Sequence, residues 1–311
     1  MRARRIRYAR LATERPNRAS RALDRLPPLA IAALMNREDR RAVAAVGRVR
    51  RQIAAAVELI VAALRRGGRL VFVGAGTSGR LGVLEAAECP PTFGTPPRLV
   101  QAIMAGGRGA VFRSREGAED DGPAAARAVR RRVRAGDVVV GVSASGVTPF
   151  VLSALGAARR QGAETILVSC NPGRRRRVPA SVVVAPVTGP EVLAGSTRLK
   201  AGTATKLVLN TLTTASMARL GRVYGNRMVD VQPRSAKLRA RAVRLVAELA
   251  GVARPRARRA LAASGWRARV AIVVARTGAS ACEARRALRR AGGSLRAALA
   301  APGRGRGAQE R

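Results

Sequence analysis

The sequence predicts an α/β protein whose main domain has three layers, α/β/α, with a parallel sheet between two layers of helices. Apolar runs alternate with helical segments between residues 59 and 224, as in a sheet covered on both faces. The runs are Leu70 to Val73, Val138 to Val142, Thr165 to Ser169 and Ser181 to Val187. A chain of 311 residues, 47% of them hydrophobic, can hold such a domain and a helical appendage.

The segments on either side of this domain are rich in predicted helix. Residues 1–58 form an N-terminal helical segment, with apolar positions at helical spacing from Asp39 to Ala63. Residues 235–299 predict a C-terminal helical module, in which glycines separate short helices. These helices are Lys237 to Ala250, Pro255 to Ala263, Arg269 to Arg276 and Ala281 to Arg290. Residues 300–311, rich in Gly and Arg, predict a disordered tail.

The first predicted strand leads into a glycine-rich turn, Gly74-Ala75-Gly76-Thr77-Ser78-Gly79, and a helical stretch follows. Backbone N–H groups and the dipole at such a helix start favour a phosphate. Thr77 and Ser78 add hydroxyl donors, so we expect Gly76, Thr77 and Ser78 to bind a phosphomonoester. Pro90 and Pro91 predict that this helix stops at Cys89.

Two alternatives stay open for this turn. The spacing of Gly74, Gly76 and Gly79 also fits a dinucleotide fingerprint, which requires an acidic residue about 20 residues later. That region, residues 90–97, contains no acid. The glycines could also serve only the geometry of a turn.

A second hydroxyl-rich turn follows the run Val138 to Val142. Its binding candidates are Ser143, Ser145, Gly146 and Thr148. Because ligands of open α/β sheets bind beyond the carboxyl ends of the strands, we expect both turns to face one crevice. The alternative is that these hydroxyls only cap the following helix.

Carboxylates are scarce in this chain but grouped near the first turn. Of 18 acidic residues, six fall in one short span: Glu85, Glu88, Glu116, Glu119, Asp120 and Asp121. The chain has no His, so acid–base chemistry must depend on carboxylates, Lys or Tyr. The spacing of Cys89, Cys170 and Cys282 does not suggest a zinc site, and we expect no metal and no cofactor.

The net charge of +42 is the most unusual feature of the composition. Such a field attracts polyanions, but no basic stripe alternates with aromatic residues, so we expect only non-specific nucleic-acid binding. Isolated cysteines, and an N-terminus without the apolar region of a secretory signal, indicate the cytoplasm. No apolar run is long enough for a membrane span, and no membrane partner is expected.

The two turns resemble the phosphate loops of sugar isomerase (SIS) domains, and the chain is similar to the N-acetylmuramic acid 6-phosphate etherases from about Thr13 to Leu299. The similar blocks are Gly74 to Gly82, Ala87 to Gly94, Glu116 to Asp121, Ser169 to Gly173, Gly195 to Ala204, Lys206 to Asn210 and Val223 to Val231. This resemblance implies an SIS fold, a sugar-phosphate substrate and a homodimer. It also implies a lyase that removes D-lactate from the substrate by β-elimination and then adds water, in cell-wall recycling.

The resemblance assigns catalysis to two glutamates. Glu88 matches the acid/base position in the Ala-Glu-Cys-Pro-Pro block, and Glu119 matches the second glutamate in the Glu-Gly-Ala-Glu-Asp block. Each could instead be an ordinary surface or capping carboxylate. Arg80, Arg198 and Lys200 are candidate contacts for the phosphate or the lactyl carboxylate, although salt bridging explains Arg198 and Lys200 equally well.

Three further points bear on function. Val147 stands where the family usually has Arg, and Arg115 and Arg227 replace usually apolar residues. A non-catalytic sugar-phosphate sensor, similar to the glucokinase regulatory protein, is the alternative function. The hypothesis of an aldose–ketose isomerase is weaker, because several SIS isomerases use a catalytic His and this chain has none.

Overall fold

The computed structural model describes residues 11–171, 178–230 and 235–300. The predicted tail lies outside the described residues except for residue 300. The described chain divides into two compact units, within Met1–Ala87 plus Pro97–Thr214 and within Glu88–Pro96 plus Ala215–Arg311. The predicted division of the chain into four parts (1–58, 59–224, 235–299 and 300–311) stays a prediction.

The first unit contains a parallel sheet of five strands in its described residues. The strands are β1 (Leu70–Gly74), β2 (Val100–Met104), β3 (Val138–Val142), β4 (Glu164–Val168) and β5 (Val182–Val184), in the order β2-β1-β3-β4-β5. The helices are α1 (Pro28–Arg48), α2 (Arg50–Arg65), α3 (Gly76–Phe93), α4 (Gly122–Arg132), α5 (Pro149–Arg160) and α6 (Lys200–Arg219). The division between the units falls within α3 and α6. The predicted α/β class with a parallel sheet is confirmed.

Helices cover both faces of this sheet. Val71, Val73 and Val139 alternate along their strands and pack in one apolar cluster with residues of α4 and α5. On the opposite face, Phe72 lies so close to α3 that a Cβ on Gly82 would be 2.8 Å from the Phe72 Cβ. Because β1 is buried on both faces, its sequence is a continuous apolar run rather than an alternating one.

The structure differs from the sequence prediction in two helices and one strand, besides small shifts at the ends of other elements. The stretch from Asp39 to Ala63 is two helices, because at Val49, φ −105° and ψ 18°, the chain leaves helical geometry and its N–H donates to Val46. β2 was not predicted. Finally, α3 does not stop at Cys89 but runs through Pro90 and Pro91 to Phe93. Each proline removes only one backbone donor, so the last turn of α3 still forms around Pro90 and Pro91. The helix then ends at Gly94, which has φ +61°.

The second unit contains the C-terminal helices. They are α7 (Ala236–Ala250), α8 (Arg254–Ala263), α9 (Ala268–Thr277), α10 (Ala281–Arg290) and α11 (Leu295–Ala300), preceded by a hairpin of β6 (Val223–Tyr224) and β7 (Arg227–Met228). As predicted, glycines separate them: Gly251 and Gly278 cap α7 and α9 in the left-handed conformation. In the described residues, no helix is both long and apolar enough to cross a membrane.

Candidate functional site

The two hydroxyl-rich turns follow neighbouring strands of the sheet. β1 and β3 are parallel and hydrogen-bonded in register, with Gly74 opposite Val142, so both chains leave the sheet at the same edge. In the order β2-β1-β3-β4-β5 this is the topological switch point, where the connecting helices go to opposite faces and leave a crevice. The switch point is where an open α/β sheet binds its ligand.

The glycines of the first turn are explained by close packing and backbone conformation. A Cβ on Gly74 would lie 2.7 Å from the Gly79 nitrogen, and one on Gly79 would lie 2.6 Å from the Gly74 oxygen. Gly76 has φ +54° and open space around it. The strand end and the helix start therefore approach through two glycines, while the third opens the first turn of α3 next to Thr77 and Ser78, both half-buried.

The hydroxyls of the second turn are close to one another. The Ser143 Oγ lies 2.7 Å from the Thr148 Oγ1 and 3.2 Å from the Ser145 Oγ. The Gly146 N–H donates to the Ser143 Oγ at 3.0 Å. Thr148 precedes α5, but its side chain makes no capping hydrogen bond. Capping alone therefore does not explain this cluster, which is small, neutral and rich in hydroxyls, as a phosphate site requires.

Glu119 is attached to the second turn through its backbone. The Phe150 N–H, in the first turn of α5, donates to the Glu119 carbonyl oxygen at 2.9 Å. The Glu119 side chain is exposed and lines a cavity of about 160 Å³ together with Gly76, Arg80 and Glu116. One predicted catalytic residue and one predicted phosphate-binding residue therefore border the same cavity.

Glu88 lies on α3, one helical turn after Glu85. Its side chain is exposed, and it has no hydrogen-bond or ion-pair partner in the described part of the chain. Its assignment as acid/base stays a prediction.

Two of the candidate cations are held by the protein itself. The Arg80 Nε and Nη2 donate to the Val111 and Ala110 carbonyl oxygens at 2.7 and 2.9 Å. Lys200 is 2% exposed, and its ammonium donates to the Glu38 carboxylate at 2.5 Å. We therefore withdraw Lys200 as a substrate contact, because its charge is buried and neutralised. Arg198 is exposed in the turn before α6.

Sequence reasoning did not foresee the environment of Glu85. This carboxylate is 4% exposed and accepts hydrogen bonds from the Lys206 Nζ at 2.5 Å and the Thr213 Oγ1 at 2.6 Å. Lys206 also donates to the Asn210 Oδ1 at 2.7 Å, one turn along α6. The block Lys206 to Asn210 thus ties α6 to α3 ahead of Glu88 in the chain. The spacing of four residues between Lys206 and Asn210, which places both on one face of a helix, is the local signal of this contact.

Cys170 is not a candidate nucleophile. It is fully buried, and burial raises the pKa of its thiol to about 12. The thiolate, which is the reactive form, is therefore scarce near neutral pH.

The fold and the two loops at the switch point define an SIS-type domain. The family model described as the glucokinase regulatory protein N-terminal SIS domain matches residues 52–159. Among solved structures, phosphoheptose isomerase from Neisseria gonorrhoeae aligns with a TM-score of 0.47 at 21% identity, covering 61% of this chain and 97% of that chain.

The chain belongs to the N-acetylmuramic acid 6-phosphate etherase family. It is 52% identical over 271 residues to the protein of that name from Trichormus variabilis, covering 86% of this chain and 88% of the relative. It is 51% identical over 269 residues to the one from Symbiobacterium thermophilum, covering 86% of this chain and 90% of the relative. The predicted family is confirmed.

Proposed function

We propose that the protein is a carbon–oxygen lyase that converts N-acetylmuramic acid 6-phosphate and water into N-acetylglucosamine 6-phosphate and D-lactate, in cell-wall amino sugar recycling. The observation that carries this proposal is its identity of about half with etherases over 86% of the chain. The cavity shared by Gly76 and Glu119 supports it, because a phosphate loop and a carboxylate are the two elements that the reaction needs.

The chemistry follows from the acidity of the C2 proton in the open-chain aldehyde form of the sugar. A carboxylate removes this proton, which is α to the carbonyl group, and the C3–O bond breaks as the lactyl oxygen takes up a proton. Water then adds across the C2–C3 double bond, with hydroxyl at C3 and hydrogen at C2. We assign the proton transfer at C2 to Glu88 and the second acid/base role to Glu119, from their positions in the family blocks.

We assign the phosphate to Gly76, Thr77 and Ser78 on the first loop and to Ser143, Ser145, Gly146 and Thr148 on the second. Arg80 and Arg198 stay as proposed peripheral contacts. The N-terminus of α3 and the hydroxyls supply donors without a metal ion, and the proposal needs no cofactor.

The test of the function is to incubate the purified protein with N-acetylmuramic acid 6-phosphate and to measure D-lactate. We expect stoichiometric release of D-lactate and N-acetylglucosamine 6-phosphate. If the protein bound the sugar phosphate and released no D-lactate, the sensor alternative would replace the lyase.

Replacing Ser78 by Ala is expected to raise KM by roughly 10- to 100-fold, because a hydrogen bond to a charged group is lost. The value of kcat should change little, since the phosphate is bound equally in ground and transition states. Thr211→Ala is the matched control, because that exposed hydroxyl donates only to Leu207 of its own helix. An unchanged KM in Ser78→Ala would remove Ser78 from the site.

We further propose a homodimer in the cytoplasm, with nucleic acid bound only non-specifically. Exposed apolar side chains on α1, Leu29 at 83% and Val43 at 56%, support a further buried surface. Light scattering at physiological salt should give twice the chain mass of 32.6 kDa. A monomer with full activity would contradict the dimer.

A further inference from the structure

Arg115 stands between the cavity that contains Glu119 and a larger one. The smaller cavity has a volume of about 160 Å³, and the larger, lined also by Phe150 of α5, about 810 Å³. The two cavities share five lining residues, which are Met104, Arg115, Glu116, Gly117 and Ala118. A ligand that filled the smaller cavity and extended beyond it would pass this arginine.

The Arg115 side chain is held in place by a glycine. Gly106 has φ +76°, and a Cβ there would lie 3.0 Å from the Arg115 Cδ. The Arg115 Nη1 donates to the Gly106 carbonyl oxygen at 3.0 Å. The stem therefore packs over a backbone with no side chain, and one hydrogen bond orients the guanidinium.

The remaining donors of Arg115 are available to a ligand. In the described part of the chain, no carboxylate pairs with Arg115, and its Nε and Nη2 have no partner. Arg80, the other cation at the smaller cavity, has already donated its Nε and Nη2 to carbonyl oxygens. Val147 brings no charge to the second loop. Arg115 is thus the cation at this cavity best able to offer a fork of donors.

We infer that Arg115 binds the carboxylate of the lactyl group and so distinguishes the substrate from the product sugar. This inference rests on the proposed function. The phosphate is common to both sugars and lies, in that proposal, at the hydroxyl loops, so it cannot discriminate between them. The lactyl carboxylate is present only in the substrate, and a planar guanidinium matches it with two parallel hydrogen bonds.

The test compares two ligands in two variants. Arg115→Gln keeps an amide donor for Gly106 and removes the charge, whereas Arg115→Ala also removes the stem. In both, affinity for N-acetylmuramic acid 6-phosphate should fall about 10- to 100-fold, while affinity for N-acetylglucosamine 6-phosphate should change less than about threefold. Arg113→Ala is the control: this exposed arginine has the same charge and lines neither cavity.

Calorimetry in the Glu88→Gln background, where turnover is expected to be slow and binding to persist, measures these affinities and separates this inference from the proposed function. If the wild-type protein released no D-lactate, the lyase proposal would fail, but the difference between the two ligands would still test Arg115. Equal weakening of both ligands would overturn the inference, because Arg115 would then hold the phosphate or the local fold. No weakening of the lactyl sugar in Arg115→Gln would overturn it as well.

Discussion

Replacing Glu88 by Gln is expected to lower kcat by roughly 10²- to 10⁴-fold, the usual contribution of a general acid–base group. Glutamine keeps the shape of the side chain and can still form hydrogen bonds, but it cannot accept the C2 proton. The binding of the sugar phosphate should persist, because the hydroxyl loops are unchanged. Single-turnover release of D-lactate measures the elimination step directly. Equilibrium binding measures whether the variant still binds the sugar phosphate.

Two further variants make this result specific. Glu119→Gln should have an intermediate effect, with water addition most impaired, so that D-lactate appears before N-acetylglucosamine 6-phosphate. Glu116→Gln is the control, because Glu116 lines the same cavity as Glu119 but has no assigned role. Wild-type release of D-lactate by Glu88→Gln would show that another group takes the C2 proton.

The strands and loops of the central domain could be predicted because their signals are local. β1 and β3 are buried on both faces, which requires continuous apolar runs, and both predictions agree with the structure to within one residue. β2, in contrast, is an edge strand with Gln101 and Ala102 partly exposed. Its apolar run is therefore interrupted, and the sequence alone does not distinguish it from the loops on either side.

The residues around the candidate site were predicted less well, because their roles depend on partners distant in sequence. Lys200 is one of three lysines and resembles a substrate contact, but Glu38, 162 residues away, accepts its charge. In the sequence, Arg115 is only a residue that replaces a usually apolar one. The structure adds its hydrogen bond to Gly106 and its position at both cavities. No local pattern contains either fact.

Breaking the buried ion pair of Lys200 and Glu38 should destabilise the first unit strongly. Lys200→Met leaves the Glu38 side chain, 0% exposed, as a buried carboxylate without its nearest cation. Removing one partner of a buried pair costs about 3–5 kcal/mol. The double variant Glu38→Gln/Lys200→Met should recover much of this loss, because no uncompensated charge is then buried.

The measurement must report on the first unit. The single Trp, Trp266, lies in the second unit, so its fluorescence would follow the wrong part of the chain. Hydrogen exchange of α1 and α6 amides is the appropriate measure, since the chain has two units and need not unfold in one step. Glu248→Gln is the control, because its partner Arg227 and Glu248 are both almost half exposed and such pairs contribute about 0–1 kcal/mol.

The same pair predicts a dependence on pH. Burial alone would raise the pKa of Glu38, but hydrogen bonds from Lys200 and Asn17 and the charges of Lys200 and Arg41 together hold it below its ordinary value of 4.5. A carboxyl group with a lowered pKa stabilises the folded state above its unfolded pKa, and this contribution is lost as the pH falls through the folded pKa.

The variant Glu38→Gln has no carboxyl group at this position, so its stability lacks this dependence on pH. The difference in exchange protection between wild type and Glu38→Gln should therefore be constant near neutral pH and shrink below about pH 4.5. A difference that grew on acidification would mean that Glu38 is protonated in the folded protein and that another group neutralises Lys200. The buried Glu191 is a candidate for that group, because its carboxylate accepts the backbone N–H of Lys200 at 2.9 Å and interacts with the Lys200 charge.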